Sequence, residues 1–264
     1  MLTAGVDLSS QDANTAMCAI EWSGGRATVA SLKSRVADHD IVELMGTVDK
    51  VGVDVPFGWP VAFVAAVSQH SRDGSWPIGY DHADNRALRF RRTDLWVHEK
   101  LGMTPLSVSC DRIALPAMRA AAFLSRAPGR GALDGSGLVV EVYPAAALKR
   151  WGFSWRKYKR DENAKAREVL LAELLDRSST WLRVGGDLVA HCAASDDAFD
   201  AVIAALVARA AMTGLTEPVP DEDRLLAQRE GWIALPCEGS FERLPVAGPG
   251  LDGDLKAGRG CLPT

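Results

Sequence analysis

Residues 51–60 read V-G-V-D-V-P-F-G-W-P. A short apolar run of small and β-branched residues, stopped by Pro56, reads as a buried strand over 51–55. Asp54 lies at its end. Desolvating a lone carboxylate is expensive, so this aspartate needs a donor, a cation or a metal.

Upstream, Ile41, Leu44, Met45 and Val48 recur at helical spacing, with Asp38 or Asp40 as the expected N-cap. Before them, residues 3–8 (T-A-G-V-D-L), 15–22 and 26–33 read as three strands, the last two joined by a turn at Ser23, Gly24 and Gly25. Together they predict an antiparallel meander, then a helix, then the strand that carries Asp54. Asp7 ends the first strand much as Asp54 ends the fourth.

Downstream, residues 66–137 are less regular. They hold glycines, prolines, the basic stretch N-R-A-L-R-F-R-R-T-D and a helix expected around 114–125. This region reads as an insertion. Residues 138–143 (L-V-V-E-V-Y) read as a further strand closed by Pro144. Residues 161–176 form an amphipathic helix and 196–212 a long Ala-rich one. Beyond Pro218, a short helix over 222–229 and a final strand G-W-I-A-L are expected. A single domain thus spans 1–244, followed by a Gly/Pro-rich tail over 245–264.

The late helix opens S-D-D-A-F-D-A-V-I-A-A-L. Residues three or four apart share a helix face, so Asp200 converges with Asp197 or Asp196. Ser195 is placed to cap the helix, and a first-turn Asp196 suits the helix dipole. Carboxylates from two strands and one helix are the donor set that hard cations such as Mg2+ or Mn2+ prefer. Such ions can activate water and stabilise the leaving oxygen in phosphodiester cleavage.

Composition bounds the alternatives. The chain has 264 residues, 47% of them apolar, enough for one large core. No apolar run reaches the roughly 20 residues of a membrane-spanning helix, and Asp7 interrupts the first apolar stretch, against a secretory signal. The five scattered cysteines (Cys18, Cys110, Cys192, Cys237, Cys261) show no C-x-x-C spacing. Reduced thiols and a cytoplasmic location are therefore expected. The net charge of −4 does not favour a dedicated nucleic-acid binder, although a local basic groove works within an acidic protein. No H-x-x-x-H, G-x-S-x-G or Walker sequence occurs, against a zinc hydrolase, an α/β-hydrolase or a P-loop NTPase.

The segments G-V-D-L-S, V-G-V-D-V-P-F-G-W-P, R-R-T-D, V-E-V-Y-P-A and D-D-A-F-D-A-V-I-A-A, taken in order, resemble the domain-of-unknown-function 429 family, whose members are predicted nucleases. The resemblance implies a ribonuclease H-like α/β fold: a mixed sheet flanked by helices, with the insertion between the fourth and fifth core strands. It also implies a divalent-metal-dependent nuclease acting on nucleic acid. Asp7, Asp54, Asp197 and Asp200 would be both metal ligands and catalytic residues. The late helix is also similar to the closing helix of Holliday-junction resolvases, which points to Asp197 and Asp200 over Asp196. Within R-R-T-D, Arg92 is the expected substrate contact, since arginine suits bidentate phosphate binding. Glu141 has two readings, a substrate-site residue or the partner of a buried arginine or lysine.

Two other functions share the expected core. An actin- or sugar-kinase-like phosphotransferase would place glycine after the first-strand aspartate, whereas Asp7 is followed by Leu8, Ser9 and Ser10. A binding module without catalysis fits the acidic charge. The basic and aromatic run W-R-K-Y-K-R at 155–160 reads as an exposed approach to the amphipathic helix, outside the site.

Overall fold

Period-2 alternation divides the first strand between two faces. In β1 (Leu2–Asp7), Ala4 and Val6 join one hydrophobic cluster, while Thr3 and Gly5 meet a helix on the other side. The computed structural model describes residues 1–77, 82–126 and 132–246. Most of the expected tail lies outside the described residues.

β1 pairs antiparallel with β2 (Ala16–Ser23), which pairs antiparallel with β3 (Arg26–Ser34). Gly24 and Gly25, at φ +57° and +73°, make the two-residue turn between them. Such a turn needs left-handed backbone at both positions. Helix α1 (Asp38–Met45) then returns the chain to β4 (Lys50–Asp54), parallel to β1. Neither expected aspartate is the N-cap of α1. Ala37 holds that position, and the Asp40 carboxylate accepts its N–H at 3.0 Å. An aspartate three residues into the helix can reach back to the cap amide, so the acidic signal fell one turn late.

Four helices separate β4 from β5 (Val139–Glu141) among the described residues: α2 (Val61–Asp73), α3 (His82–Arg89), α4 (Arg92–Leu101) and α5 (Ala114–Leu124). Then come α6 (Pro144–Arg150), α7 (Ala164–Arg177), β6 (Leu182–Arg183), α8 (Gly186–Ala194), α9 (Asp196–Met212) and α10 (Arg224–Glu230). The sheet order is β5-β4-β1-β2-β3-β6, with β5 and β6 parallel to their neighbours. The chain is thus a mixed α/β protein with a six-stranded sheet between helices. The expected final strand is only an isolated bridge from Ile233 to Glu141. Gly231 at φ +86° and Pro236 bracket too few residues to extend it.

One face of the sheet packs on α1 and α5 through Ala4, Val6, Val51 and Val53. The other carries α9, in which every residue from 198 to 210 is buried. The contact is closest over β1 and β4, where glycines face the helix. A Cβ on Gly5 would sit 2.1 Å from the Ala201 carbonyl oxygen, and one on Gly52 would sit 2.4 Å from that of Ala204. Gly5 and Gly52 are register partners, and so are Asp7 and Asp54 two residues on. The same alternation that aims the glycines at α9 aims both aspartates there. Cys18, Cys110 and Cys192 are free thiols.

Candidate metal centre

Asp7 and Asp54 end adjacent parallel strands, and Asp200 descends from the second turn of α9. Ser195 fixes the start of that helix, its hydroxyl accepting the Ala198 N–H at 3.1 Å. One carboxylate oxygen from each of Asp7, Asp54 and Asp200 lies within 4.8 Å of the others. Asp200 is fully buried, and the other two are half-buried. Asp197, one turn earlier, lies within hydrogen-bonding reach of Asp7 but outside that set of three. The structure therefore brings together all four expected aspartates, with Asp197 at the edge. Asp196 instead accepts the Arg160 N–H at 2.9 Å.

The electrostatics are unbalanced. Lys159 Nζ lies 2.5 Å from Asp200 Oδ2 and 4.0 Å from Asp54 Oδ2. The Tyr158 hydroxyl donates to Asp200 Oδ1 at 2.9 Å. Burial, then the Asp54 charge, holds Asp7 well above the usual carboxyl range, against the pull of Lys159. Burial likewise pushes Asp54 up to about 7. Burial raises Asp200 too, although Lys159 and Tyr158 oppose it. Close carboxylates in a desolvated site retain protons unless a cation joins them.

Lys159 belongs to a loop over 155–160 that sequence reasoning left outside the site. Lys157 and Arg160 have left-handed backbone, φ 55° and 71°. Non-glycine residues pay about 1 kcal/mol or more for that conformation. Fully buried Arg167 stabilises the loop. Its guanidinium donates to the carbonyls of Tyr158, Arg160, Ala193 and Ala194, which ties the loop to the approach of α9. The signal was the alternation of basic and aromatic residues in W-R-K-Y-K-R. A helix approach and a site loop share that composition, and only the two left-handed residues distinguish them.

A cavity of about 550 Å3 opens beside the cluster. Asp54, Tyr143 and Lys159 line it together with Leu106 and Ile113 from the segment between β4 and β5. Of the R-R-T-D arginines, Arg91 borders this cavity and Arg92 does not. Arg92 is held by Asp223 at 2.9 Å and Glu99 at 3.1 Å. Glu141 borders the cavity as well and is ion-paired with Arg91. Its two oxygens accept from Arg91 at 2.6 and 2.7 Å, and Oε2 also accepts the Phe57 N–H at 3.0 Å. His191 contacts Ser34 at 2.8 Å, away from the cluster.

Carboxylates converging at the carboxyl ends of two parallel strands, closed over by one helix, define an α/β protein with a candidate cation site. The family described as "Protein of unknown function (DUF429)" matches residues 5–225, and the chain belongs to it. No curated protein and no solved structure matches the chain.

Proposed function

We propose that this protein is a divalent-metal-dependent nuclease of ribonuclease H-like fold. The convergence of Asp7, Asp54 and Asp200 within 4.8 Å carries the reading. The strand order supports the fold assignment: a central β1 antiparallel to β2 and parallel to β4, with α2–α5 inserted before β5. Among the described residues, no helix is long and apolar enough to cross a membrane.

The donor set fits Mg2+ or Mn2+, since three carboxylates offer oxygen ligands without competing sulfur or imidazole. Asp7, Asp54 and Asp200 would hold the ion, with Asp197 beside Asp7 as a further donor. When bound, it supplies activation of water and neutralisation of charge on the phosphodiester. Lys159 offsets part of the negative charge of the metal-free cluster. Its side chain is about half exposed, so it can turn from Asp200 to a substrate phosphate. The phosphate contact expected of Arg92 falls better to Lys159 and Arg156, which border the cavity.

Mn2+ and Mg2+ should each raise the thermal stability of the wild type and leave an Asp7→Asn/Asp200→Asn variant unmoved. The gain reaches about 2.7 kcal/mol at a hundredfold excess over the dissociation constant. Cleavage screening on single-stranded, branched and hybrid substrates then follows. Absence of any metal response in the wild type, even with an oligonucleotide present, would overturn the reading.

The cluster also sets a pH dependence. Burial pushes Asp54 up to about 7, so between about pH 4 and 7 the native state holds a proton there that the unfolded chain releases, and Asp7 is raised in the same direction. The contribution of Asp54 to metal-free stability is therefore complete below about pH 4 and lost as pH rises through about 7. Urea unfolding in EDTA should find the stability advantage of Asp54→Asn over the wild type larger at pH 8 than at pH 5. Metal affinity should rise over the same interval, because the ion displaces protons.

A further inference from the structure

We propose that the cavity beside the acidic cluster receives one unpaired nucleotide, so that the substrate is single-stranded or frayed nucleic acid. This inference rests on the nuclease reading and adds the substrate class. Its volume of about 550 Å3 falls in the range of small-ligand pockets. A base still stacked in a duplex cannot enter a concave site and must first be extruded.

The lining combines two chemistries that a nucleotide unites. Val55, Pro56, Pro105, Leu106 and Ile113 offer apolar contact for the faces of a base. Leu106, on the cavity wall, is 61% exposed and open to contact. Trp155 and Tyr143 add aromatic surface, and Arg156, Lys157 and Lys159 add positive charge. The Arg156 guanidinium lies 4.2 Å from the Trp155 ring centroid and the Lys149 ammonium 5.0 Å from it. Aromatic rings backed by cations are the platforms on which unpaired bases stack. Asp54 and Lys159 border both the cavity and the cluster, so a base in the cavity leaves its phosphate beside the carboxylates.

The loop that supplies these cations keeps two left-handed non-glycine residues, and the buried Arg167 fixes its carbonyls. A backbone held in strained form by its surroundings is typical of ligand-binding segments.

The test compares binding of a labelled twelve-nucleotide single strand with that of its duplex, by fluorescence anisotropy in EDTA and in calcium. The proteins are the wild type, Trp155→Ala and Ala145→Phe, the last adding a ring on the cavity wall. Circular dichroism melts establish that each variant is folded. The wild type should prefer the single strand, and each variant should bind it about 5- to 100-fold more weakly, as expected for loss of one stacked base. Equal or tighter duplex binding, or variants that bind like the wild type, would overturn the proposal. So would a free nucleoside monophosphate that binds as tightly as the strand, or no strand binding in either buffer. The nuclease reading fails separately, by the absence of a manganese response, and strand binding in EDTA does not depend on that response.

Discussion

Gly5→Ala lowers the stability of the protein by more than about 3 kcal/mol, beyond the usual cost of overpacking. The new methyl group would lie 2.1 Å from the Ala201 carbonyl oxygen and 2.2 Å from the Ala205 amide nitrogen. Both are backbone atoms of α9, so no side chain can rotate aside. The helix itself must lift from the sheet, and every alanine that seats it loses contact. The displacement also draws Asp200 away from Asp7 and Asp54. Urea unfolding measures the first effect, and a reduced manganese-induced gain in the folded protein measures the second. Gly186→Ala is the control. It has an ordinary φ and open space around its Cβ, and it should change stability by less than about 0.5 kcal/mol. A Gly5→Ala protein as stable as the wild type would refute the close packing of α9 on β1.

Arg91→Met should cost about 3–5 kcal/mol, the usual result of removing one partner from a buried ionic group. Arg91 joins Asp94 at 2.8 Å and Glu141 at 2.6 Å, and all three side chains are almost fully buried. It also donates to the Glu230 carbonyl at 3.1 Å, beside Gly231. The substitution strands two carboxylates in the interior. Burial already raises the Glu141 pKa, and Arg91 is the main influence opposing it. Without Arg91 the native state takes up protons more avidly than the unfolded chain. The deficit should therefore be smaller at pH 5 than at pH 8. Arg91→Lys should recover only part of the loss, because a point charge cannot serve both carboxylates as a guanidinium does. Equal losses at both pH values would mean that packing, not charge, explains the effect.

These two sites differ in how far the sequence exposes them. The meander, β4 and α9 follow from local pattern: alternation in β1–β3, an apolar run stopped by Pro56, and a continuous Ala-rich helix behind Ser195. Asp7 and Asp54 were legible because each ends a strand, and Asp197 and Asp200 because they are three residues apart on one helix. The Arg91–Glu141 pair was legible only as one of two readings, since its members are fifty residues apart in the chain. The cation at the cluster was not legible. Lys159 reaches Asp200 from a loop in which Lys157 and Arg160 have positive φ and whose carbonyls at Tyr158 and Arg160 are held by Arg167 of α7. α2, α3 and α4 escaped notice because the segment between β4 and β5 carries many glycines and prolines.

The site has one hard wall and one soft wall. Asp200 stands on α9, whose backbone rests directly on the sheet at Gly5 and Gly52. Lys159 stands on an irregular loop whose shape is held chiefly by one arginine. On the proposed reading, an arriving ion or phosphate is accommodated from the lysine side. On the same reading, the carboxylates keep a fixed spacing, and differences between ligands are taken up on the side of the lysine loop.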